Sequence, residues 1–543
     1  MKVATPSKIG LLCLLSVFLL GTTAAQTRRT TTANLNQTTN NNIGITETVE
    51  SSIPSTGCDT TNGTRFNLEP RLNAQAQNSE SVAFLLDGVS PGVDLVVGAG
   101  NEAAVTVNTR FGNDVHDAYY VHRRGANCNA DFEGTLPFAG LGALFPTVVA
   151  DPARGAFFLA DLALSDGQPA MQVARTTAAT LLSPTDCPSG TQQVGANPNC
   201  WPVGTIAVFM QPENQTAMLF PHMSVDPRIS GTGAGDVYLA AEILNLQKFP
   251  AIDTVQIIAC TNQTLSCGQP VVVSGTDQFA GRPWVQVRPD GLITISYLTF
   301  TQAPPSPSEI KFVTCQPQGA PKPPVCSAPH LVAKESFKVA SFAPGDDDFD
   351  VQLYPKHVNR MESGGTFITF LVYDRCRSII SPPLFGTAPV CSKIDLVIGE
   401  STNGGATWST FTPVESAVGH QFMGTISNDV STGITNIAYY STQNDPFLQR
   451  PQIFVSQIPA GSTTAGTAKA ISAAATDLNV GIQDFVVRNG IQDVGLQIGL
   501  ASAGTGTTGQ SKLYVHYTWN NVFGISNGTK QPDQNNTLIP FSY

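Results

Sequence analysis

The stretch LFPHMSVDP at residues 219–227 is one copy of a phrase that returns along the chain. LFPTVVADP at residues 144–152 is a second copy, and RPWVQVRPDG at residues 282–291 is a third. Each copy predicts a strand, a turn and a second strand, because β-branched and aromatic residues lead into Pro, Asp or Gly. The period of about 60 to 75 residues suits one four-stranded propeller blade with long loops.

The number of copies predicts the number of blades. Weaker copies begin at Tyr354, Gln421 and Gln483, and a further one lies near Ser81. Short apolar runs broken by Gly and Pro continue throughout, and no long stretch has a helical period. We therefore expect an all-β fold, a β-propeller of four-stranded blades. Seven blades are favoured, and six are the alternative if the copy near Ser81 is left out.

The N-terminus has the pattern of a secretory signal. Lys2 and Lys8 precede and flank an apolar run that is too short to span a bilayer well, and Thr23-Ala24-Ala25 provides small residues for cleavage. We interpret residues 1–25 as a signal peptide, 26–57 as a flexible Thr/Asn-rich leader and 58–543 as the propeller. No later segment is long and apolar enough for a membrane span. The expected location is secreted and extracellular, or periplasmic.

The charge balance limits the partners. The 543 residues carry a formal net charge of -11 and no basic tract. An acidic chain of this kind is a poor candidate for binding nucleic acid. We expect a monomer whose partner is an extracellular glycan or protein ligand.

The cysteines fit an oxidising compartment. Of 11 cysteines, Cys13 falls within the signal peptide, which leaves an even number. The expected disulfides join neighbours in sequence: Cys187 with Cys200, Cys260 with Cys267, Cys315 with Cys326, Cys376 with Cys391, and the remaining Cys58 with Cys128. Six sequons, including the one at Asn262, would be glycosylated only in a host with that machinery.

One motif points to a family. STNGGATW at residues 401–408 matches the Asp-box pattern Ser-x-Asp-x-Gly-x-Thr-Trp, with Asn403 in the Asp position. Ser401 and Asn403 should bond turn amides, Gly405 should take a positive φ, and Trp408 should pack beneath the turn. With the recurring phrase, this motif makes the chain resemble the sialidase superfamily, whose propellers carry Asp boxes (BNR repeats). In that family the box is structural and lies away from the active site.

The resemblance does not extend to the catalytic motifs. Sialidases bind a carboxylate with three arginines, and the first normally lies in an Arg-Ile-Pro motif. That motif is absent, and Arg282-Pro283 is the closest match in position. The remaining catalytic candidates, Asp277 and Asp484, rest on position alone.

The recurring phrase indicates where a ligand would bind. If it forms the innermost strand of each blade, its start lies at one mouth of the central channel. The turn-forming Asp151 and Asp226 would then lie at the other end. The predicted ligand-binding residues at this mouth are His222, Arg282, Tyr354, Lys356, His357 and His420.

Two functional hypotheses follow. The first is a non-enzymatic scaffold that binds a glycan or another extracellular ligand at the mouth. The alternative is a glycoside hydrolase, similar to exo-sialidases, with a diverged site and Arg282 on an anionic sugar. No cofactor is certain, but Asp346, Asp348 and Asp350 are spaced to hold calcium in one loop, or to form a solvated acidic loop.

Overall fold

The computed structural model describes residues 48–49, 75–85, 95–104, 114–122, 132–134, 136, 141–165, 168–187, 199–207, 216–245, 252–277, 279–299, 308–335, 340–342, 349–351, 354–380, 390–446, 448, 450–472, 498–504, 511–526 and 529–542. Within these ranges the strands form seven sheets, and one short helix, α1 (Ala178–Leu182), follows an N-cap at Thr177. The predicted signal peptide, Asp346, Asp348 and Asp484 lie outside them. So do Cys58 and Cys128.

The strands follow the chain from sheet to sheet. Strand β1 (Thr48–Val49) lies in sheet 7, beside the last strands of the chain. Sheet 1 contains β2 (Gln75–Leu85), β3 (Leu95–Ala104), β4 (Asp114–His122) and β5 (Phe132–Gly134). Sheet 2 contains β6 (Leu141–Asp151), β7 (Ala156–Ser165), β8 (Gln168–Thr177) and β9 (Val203–Ala207). Sheet 3 contains β10 (Thr216–Val225), β11 (Val237–Asn245), β12 (Ile252–Cys260) and β13 (Val271–Val272).

The next two sheets are larger. Sheet 4 contains β14 (Ala280–Val287), β15 (Ile293–Thr299), β16 (Ser308–Gln316), β17 (Val325–Cys326) and β18 (His330–Glu335). Sheet 5 contains β19 (Ala340–Phe342), β20 (Phe349–Val351), β21 (Lys356–Met361), β22 (Phe367–Ile380), β23 (Val390–Ser401) and β24 (Thr412–Pro413).

Two four-stranded sheets complete the order. Sheet 6 contains β25 (Gln421–Asp429), β26 (Ile434–Ser441), β27 (Gln452–Ile458) and β28 (Lys469–Ala470). Sheet 7 joins β1 to β29 (Gly499–Gly504), β30 (Ser511–Ser526) and β31 (Thr529–Ser542). Its spatial order is β1-β31-β30-β29, so residues from both ends of the chain share one sheet.

The architecture is an all-β propeller, and the predicted blade count needs correction. Five sheets have four strands, whereas sheet 4 has five and sheet 5 has six. Neither seven nor six uniform four-stranded blades is therefore right. The extra strands pair at long range: β18 adds to β16, and the β19–β20 hairpin adds to β23. A repeated local phrase carries no signal for such pairings.

Copies of the recurring phrase form six of the seven inner strands around the axis. The seventh is β29 (Gly499–Gly504), and the copy predicted at Gln483 lies outside the described residues. Contacts between first strands run from β2 to β6, β10, β14, β21, β25 and β29, and then back to β2. The copy near Ser81 is therefore a true inner strand. Gly499 closes the ring, because a Cβ there would meet the backbone of Ser81 at 3.0 Å. Each inner strand pairs only within its own sheet, and the closed ring leaves short, protected inner edges.

The core lies between neighbouring sheets. All residues of β15 and β26 are buried, since a middle strand packs against a sheet on each face. Phe158 of sheet 2, for example, shares one apolar cluster with Met223 and Ile258 of sheet 3. Among the described residues, no helix is long and apolar enough to cross a membrane.

Three predicted disulfides are confirmed: Cys187–Cys200, Cys260–Cys267 and Cys315–Cys326. Cys376 is also disulfide-bonded. Cys315 and Cys326 face each other across β16 and β17, so this link fastens the outer edge of sheet 4.

Candidate ligand-binding site at the channel mouth

Each of several inner strands bends at the same place. The pairing register shifts between Leu144 and Thr147, between Leu219 and His222, between Gly281 and Trp284, and between Phe422 and Thr425. Within these bulges Phe145, Phe220, Arg282 and Met423 have φ values of 59, 49, 56 and 52°. Left-handed backbone is uncommon for residues other than glycine, and bulges redirect side chains near binding sites. We call these four the bulge residues.

In sheets 1 to 3, the residue after the bulge fastens one inner strand to the next. Ser81 Oγ accepts from the Val148 amide at 3.0 Å, and Thr147 Oγ1 accepts from the Met223 amide at 3.4 Å. His222 Nδ1 takes the same role with the Val285 amide at 3.2 Å. The inner ring is therefore held by equivalent side-chain-to-backbone bonds between blades.

Aromatic rings from three sheets form a wall at the start of the inner strands. The Phe145 and Phe220 ring centroids are 4.8 Å apart, and Tyr354 meets Phe220 edge-on at 6.3 Å. Trp284 lies 6.2 Å from Tyr354 and stacks on His222 with centroids 3.6 Å apart. Tilted and edge-on ring pairs of this kind are favourable beyond the area they bury. We call these five side chains the aromatic wall.

Two cations lie on the aromatic wall. Arg282 Cζ is 5.0 Å from the centre of Phe220, and Lys356 Nζ is 5.2 Å from both Trp284 and Tyr354. Both side chains are buried, with residues 7% and 1% exposed. A desolvated cation over a ring gains about 2 kcal/mol or more, which helps to offset the cost of burying its charge.

Two buried carboxyl groups hold the bulges from the neighbouring sheets. Glu242 Oε2 accepts from the Arg282 amide at 3.0 Å, and Asp374 accepts from the Met423 amide at 2.8 Å and the Gly424 amide at 3.4 Å. Burial raises the pKa of Glu242 to about 8, helped by Asp253 and opposed by Arg282. Burial also raises the pKa of Asp374 to about 7, against its amide bonds and Lys356. At neutral pH the Glu242 carboxyl is therefore mostly protonated and the Asp374 carboxyl is about half protonated.

His222 is uncharged in this setting. Burial, Lys356 and His357 lower its pKa well below the ordinary value. Its Nδ1 accepts a backbone hydrogen bond, so the proton of the neutral ring resides on Nε2. His222 thus contributes a flat ring to the wall and no charge.

The structure brings four predicted mouth residues together, namely His222, Arg282, Tyr354 and Lys356. His357 lies on the other face of β21, where Thr294 Oγ1 is 2.8 Å from Nε2 and Ser296 Oγ is 2.8 Å from Nδ1. Burial lowers its pKa to about 3. It is a neutral histidine packed between sheets 4 and 5.

His420 also lies apart from the aromatic wall. Its Nδ1 accepts from the Ile394 amide at 3.3 Å. Burial and Lys393 lower its pKa to about 4, against the effect of Asp395. Its side chain serves the contact between sheets 5 and 6.

Asp277, a predicted catalytic candidate, belongs to a repeated structural contact. Its carboxylate accepts from Tyr297 OH at 2.7 Å and lies 3.3 Å from Lys311 Nζ. Two more tyrosines at the equivalent place on a second strand do the same: Tyr373 donates to Glu335, and Tyr439 donates to Glu415 at 3.2 Å. Each acid comes from the segment that enters the blade. We call these three pairs the tyrosine buckles.

The described residues do not test the remaining predicted acids. Asp346, Asp348 and Asp484 are outside the described ranges, and Asp350 is placed only as a member of β20. In the described part of the chain, no group of three His, Cys, Asp or Glu side chains is arranged to hold a metal ion. The calcium interpretation therefore stays a prediction.

The turn at 401–408 has the contacts expected of it. Ser401 Oγ accepts from the Gly405 amide at 2.9 Å, and Asn403 Oδ1 accepts from the Thr407 amide at 2.9 Å. Trp408 Nε1 donates to Gly405 O at 3.1 Å. Gly405 has φ 90°, and a Cβ there would meet the Phe312 ring at 2.2 Å. These residues stabilise the edge of sheet 5, and membership of the Asp-box repeat stays a prediction.

Sequence reasoning missed half of this site. Phe145, Phe220 and Trp284 stand beside the proline of the recurring phrase, so the phrase itself contained their signal. Glu242 was a second signal in the sequence, because it is an acid inside the otherwise apolar run of strand β11. The bulge interrupts the alternation of side chains along the strand. Phe220, which lies in the bulge, and His222, which follows it, can therefore both contribute to the mouth.

Comparisons with known proteins find similar solved structures at low sequence identity. No family model matches the chain, and no curated protein matches it. A Hadza microbial sialidase is 9% identical over 78% of this chain and 73% of its own, with a TM-score of 0.40. The Trypanosoma rangeli sialidase, in complex with the inhibitor DANA, is 11% identical over 75% of this chain and 57% of its own, with a TM-score of 0.38.

A third similar structure is a polysaccharide lyase, 11% identical over 91% of this chain and 96% of its own, with a TM-score of 0.42. At such identities and TM-scores the similarity leaves the chemistry of any site open. The all-β propeller rests on the order of the sheets themselves.

Proposed function

We propose that this protein is an exported carbohydrate-binding propeller whose channel mouth holds an acidic sugar. The observation that carries the proposal is the pair of cations, Arg282 and Lys356, set on the aromatic wall. Ring faces and edges pack against the C–H face of a sugar, and the cations pair with a carboxylate or sulfate. The chain carries a net charge of -11, so this attraction is local to the mouth.

Export is supported by the disulfides. Disulfides persist in oxidising compartments, and three are present in the described chain. The signal peptide, leader and propeller boundaries proposed above, at residues 1–25, 26–57 and 58–543, follow from the sequence alone. A monomer needs no partner surface to complete the mouth, because Phe145, Phe220, Arg282, Trp284, Tyr354 and Lys356 all come from one chain.

Calorimetric titration with 3′-sialyllactose and with lactose tests the proposal. We expect the sialylated sugar to bind and lactose to bind at least about 10-fold more weakly, since only the former offers a carboxylate. Arg282→Ala should remove most of this preference. Arg288→Ala is the matched control, because Arg288 follows the opposite end of the same strand.

An oligogalacturonate should be titrated in parallel, because a carboxylated sugar need not be a sialoside. Equal binding of neutral and acidic sugars by the wild type and Arg282→Ala would refute the acidic-sugar proposal. Binding of neither would refute the carbohydrate proposal as a whole.

Glycoside hydrolysis is the second candidate. Glu242 favours it, because a carboxyl with a pKa of about 8 keeps its proton at neutral pH, as a general acid must. The bond from the Arg282 amide to Glu242 Oε2 favours binding instead, since it gives this carboxyl a structural role. Turnover of a fluorogenic sialoside that Glu242→Gln abolishes, with Arg282 labelling unchanged, would support the hydrolase.

A further inference from the structure

We infer that Glu242 is a positioning residue: it holds Arg282 in the left-handed bulge of the neighbouring sheet and thereby sets the place of its guanidinium at the mouth. The inference rests on the proposed function for its binding consequence, but the contact itself is independent of any ligand. Arg282 N donates to Glu242 Oε2 at 3.0 Å, and both residues are buried.

The Glu242 carboxyl fits against the bulge because residue 281 is a glycine. A Cβ on Gly281 would lie 2.0 Å from Glu242 Oε2 and 2.5 Å from its carboxyl carbon. Any larger residue at 281 would expel the carboxyl group from its place against the bulge. Glycine before Arg282 is thus explained by the Glu242 carboxyl, since Gly281 itself has no positive φ.

The propeller contains its own control. Asp374 occupies the equivalent place on its second strand and accepts from the amides of Met423 and Gly424. There the bulge residue is Met423, which has no charge. The same backbone contact therefore occurs once with a cation and once without.

Other sheets show what the fold tolerates at this place. The equivalent residue is Leu162 in sheet 2 and Leu298 in sheet 4. Phe220, which follows the sheet of Leu162, is left-handed all the same. An acid on the preceding sheet is therefore not needed to make a bulge. The specific effect of Glu242 is on the position of Arg282, the residue in the bulge of sheet 4. The charge of Arg282 also acts on the Glu242 carboxyl.

The test compares Glu242→Leu and Glu242→Gln with Asp374→Leu, in the full chain. Two readouts need no ligand: amide exchange of the peptide containing Arg282, and the rate at which phenylglyoxal labels Arg282, both followed by mass spectrometry. Titration with 3′-sialyllactose is the third readout. Glu242→Gln keeps an acceptor oxygen and gives a second variant should leucine prevent folding.

We expect Glu242→Leu to speed exchange at Arg282 by about 10-fold, as the loss of a buried hydrogen bond implies, and to speed labelling by at least about 5-fold. Binding of 3′-sialyllactose should weaken by about 10-fold, and Glu242→Gln should restore most of the exchange protection. Asp374→Leu should speed exchange at Met423 and leave Arg282 labelling unchanged.

Unchanged exchange and labelling at Arg282 in Glu242→Leu would overturn the inference. An equal effect of Asp374→Leu on Arg282 would also overturn it. The effect of Glu242→Leu would then reflect a loss of stability of the whole fold and not the contact between Glu242 and Arg282. If Arg282→Ala leaves sugar binding intact, the proposed function fails, and the two ligand-free readouts still decide whether Glu242 positions Arg282.

Discussion

The two ends of the inner strands differ in how much the residue type varies from sheet to sheet. At the far end, Asp151, Asp226 and Asp429 occupy corresponding places, and each accepts from a backbone amide two residues further along, at 3.0 to 3.1 Å. At the mouth, corresponding places hold Phe145, Phe220, Arg282 and Met423. One end repeats a residue type and the other diversifies it.

The repeated end makes the fold. The Asp side chains close Asx turns where the chain returns into the second strand of sheets 2, 3 and 6. They also join blades: Asn262 donates to Asp151 Oδ2 at 2.9 Å, and Arg154 donates to Arg228 O at 2.9 Å. The contacts of Asp151 and Asp226 are thus made with turn and blade partners, as expected of turn formers.

The varied end can carry specificity because the bulge, and not the residue in it, is what the ring requires. A phenylalanine, an arginine and a methionine all adopt the same left-handed backbone. Within one molecule, variation at a fixed backbone position marks the surface that is free to suit a ligand. The predictions below test this division, starting with the largest effect.

The mouth should impose a pH dependence on stability through Glu242. Its pKa is about 8 in the fold, against an ordinary value of 4.5. Between these values the unfolded chain has lost a proton that the fold keeps, so the contribution is full below pH 4.5 and is lost as the pH rises to 8. The change is on the order of 5 kcal/mol.

Urea unfolding of the wild type and Glu242→Gln at several pH values measures this contribution. The buried histidines change the curves of both proteins alike and cancel in the difference. Parallel curves for the two proteins from pH 4.5 to 8 would show that Glu242 titrates normally in the fold.

At the far end, Asp151→Ala should lower the free energy of unfolding by about 3 kcal/mol. Its fully buried carboxylate pairs with Arg154 at 3.0 Å and accepts from Asn262, so both partners lose their acceptor. Sugar binding at the mouth should not change. Asp290→Ala is the control: Asp290 is 44% exposed in its ion pair and should cost under about 1 kcal/mol. Equal losses for both variants would contradict the role given to buried turns.

Much of the ring could be predicted from the sequence, because its signal is local. The recurring phrase predicts six of the seven inner strands, Asp-Pro predicts two of the turns, and close cysteines predict three confirmed pairs. The extra strands of sheets 4 and 5 could not be predicted, since β18 and β19 join their sheets by distant pairing.

The site was predictable only in part. Lys356 and His357 are consecutive on a strand, so they face opposite sides, and both could not line the mouth. That rule was available from the sequence. The bulges break the same alternation, however, and without them the contact of Glu242 with Arg282 could not be deduced.

The Asn262 sequon should stay unmodified in a host that glycosylates. Asn262 is 8% exposed, and its Nδ2 donates to both Asp151 Oδ2 and Gly235 O at 2.9 Å. A glycan on Nδ2 would replace one of these donors and has no room. Mass mapping of the protein from such a host should show bare Asn262. Full occupancy in folded protein would contradict the network, and Asn262→Ala should cost about 2 kcal/mol.

The smallest effects are expected at the tyrosine buckles, which lie between the two ends. Tyr297→Phe removes the donor to Asp277 and should lower the free energy of unfolding by about 1 kcal/mol. Tyr373→Phe should cost slightly more, because Tyr373 OH contacts both Glu335 and Arg375. Urea unfolding measures both. If Asp277 is structural, Tyr297→Phe and Asp277→Asn will leave sugar binding at the wild-type level. A loss of binding in Asp277→Asn without a loss of stability would return Asp277 to the functional site.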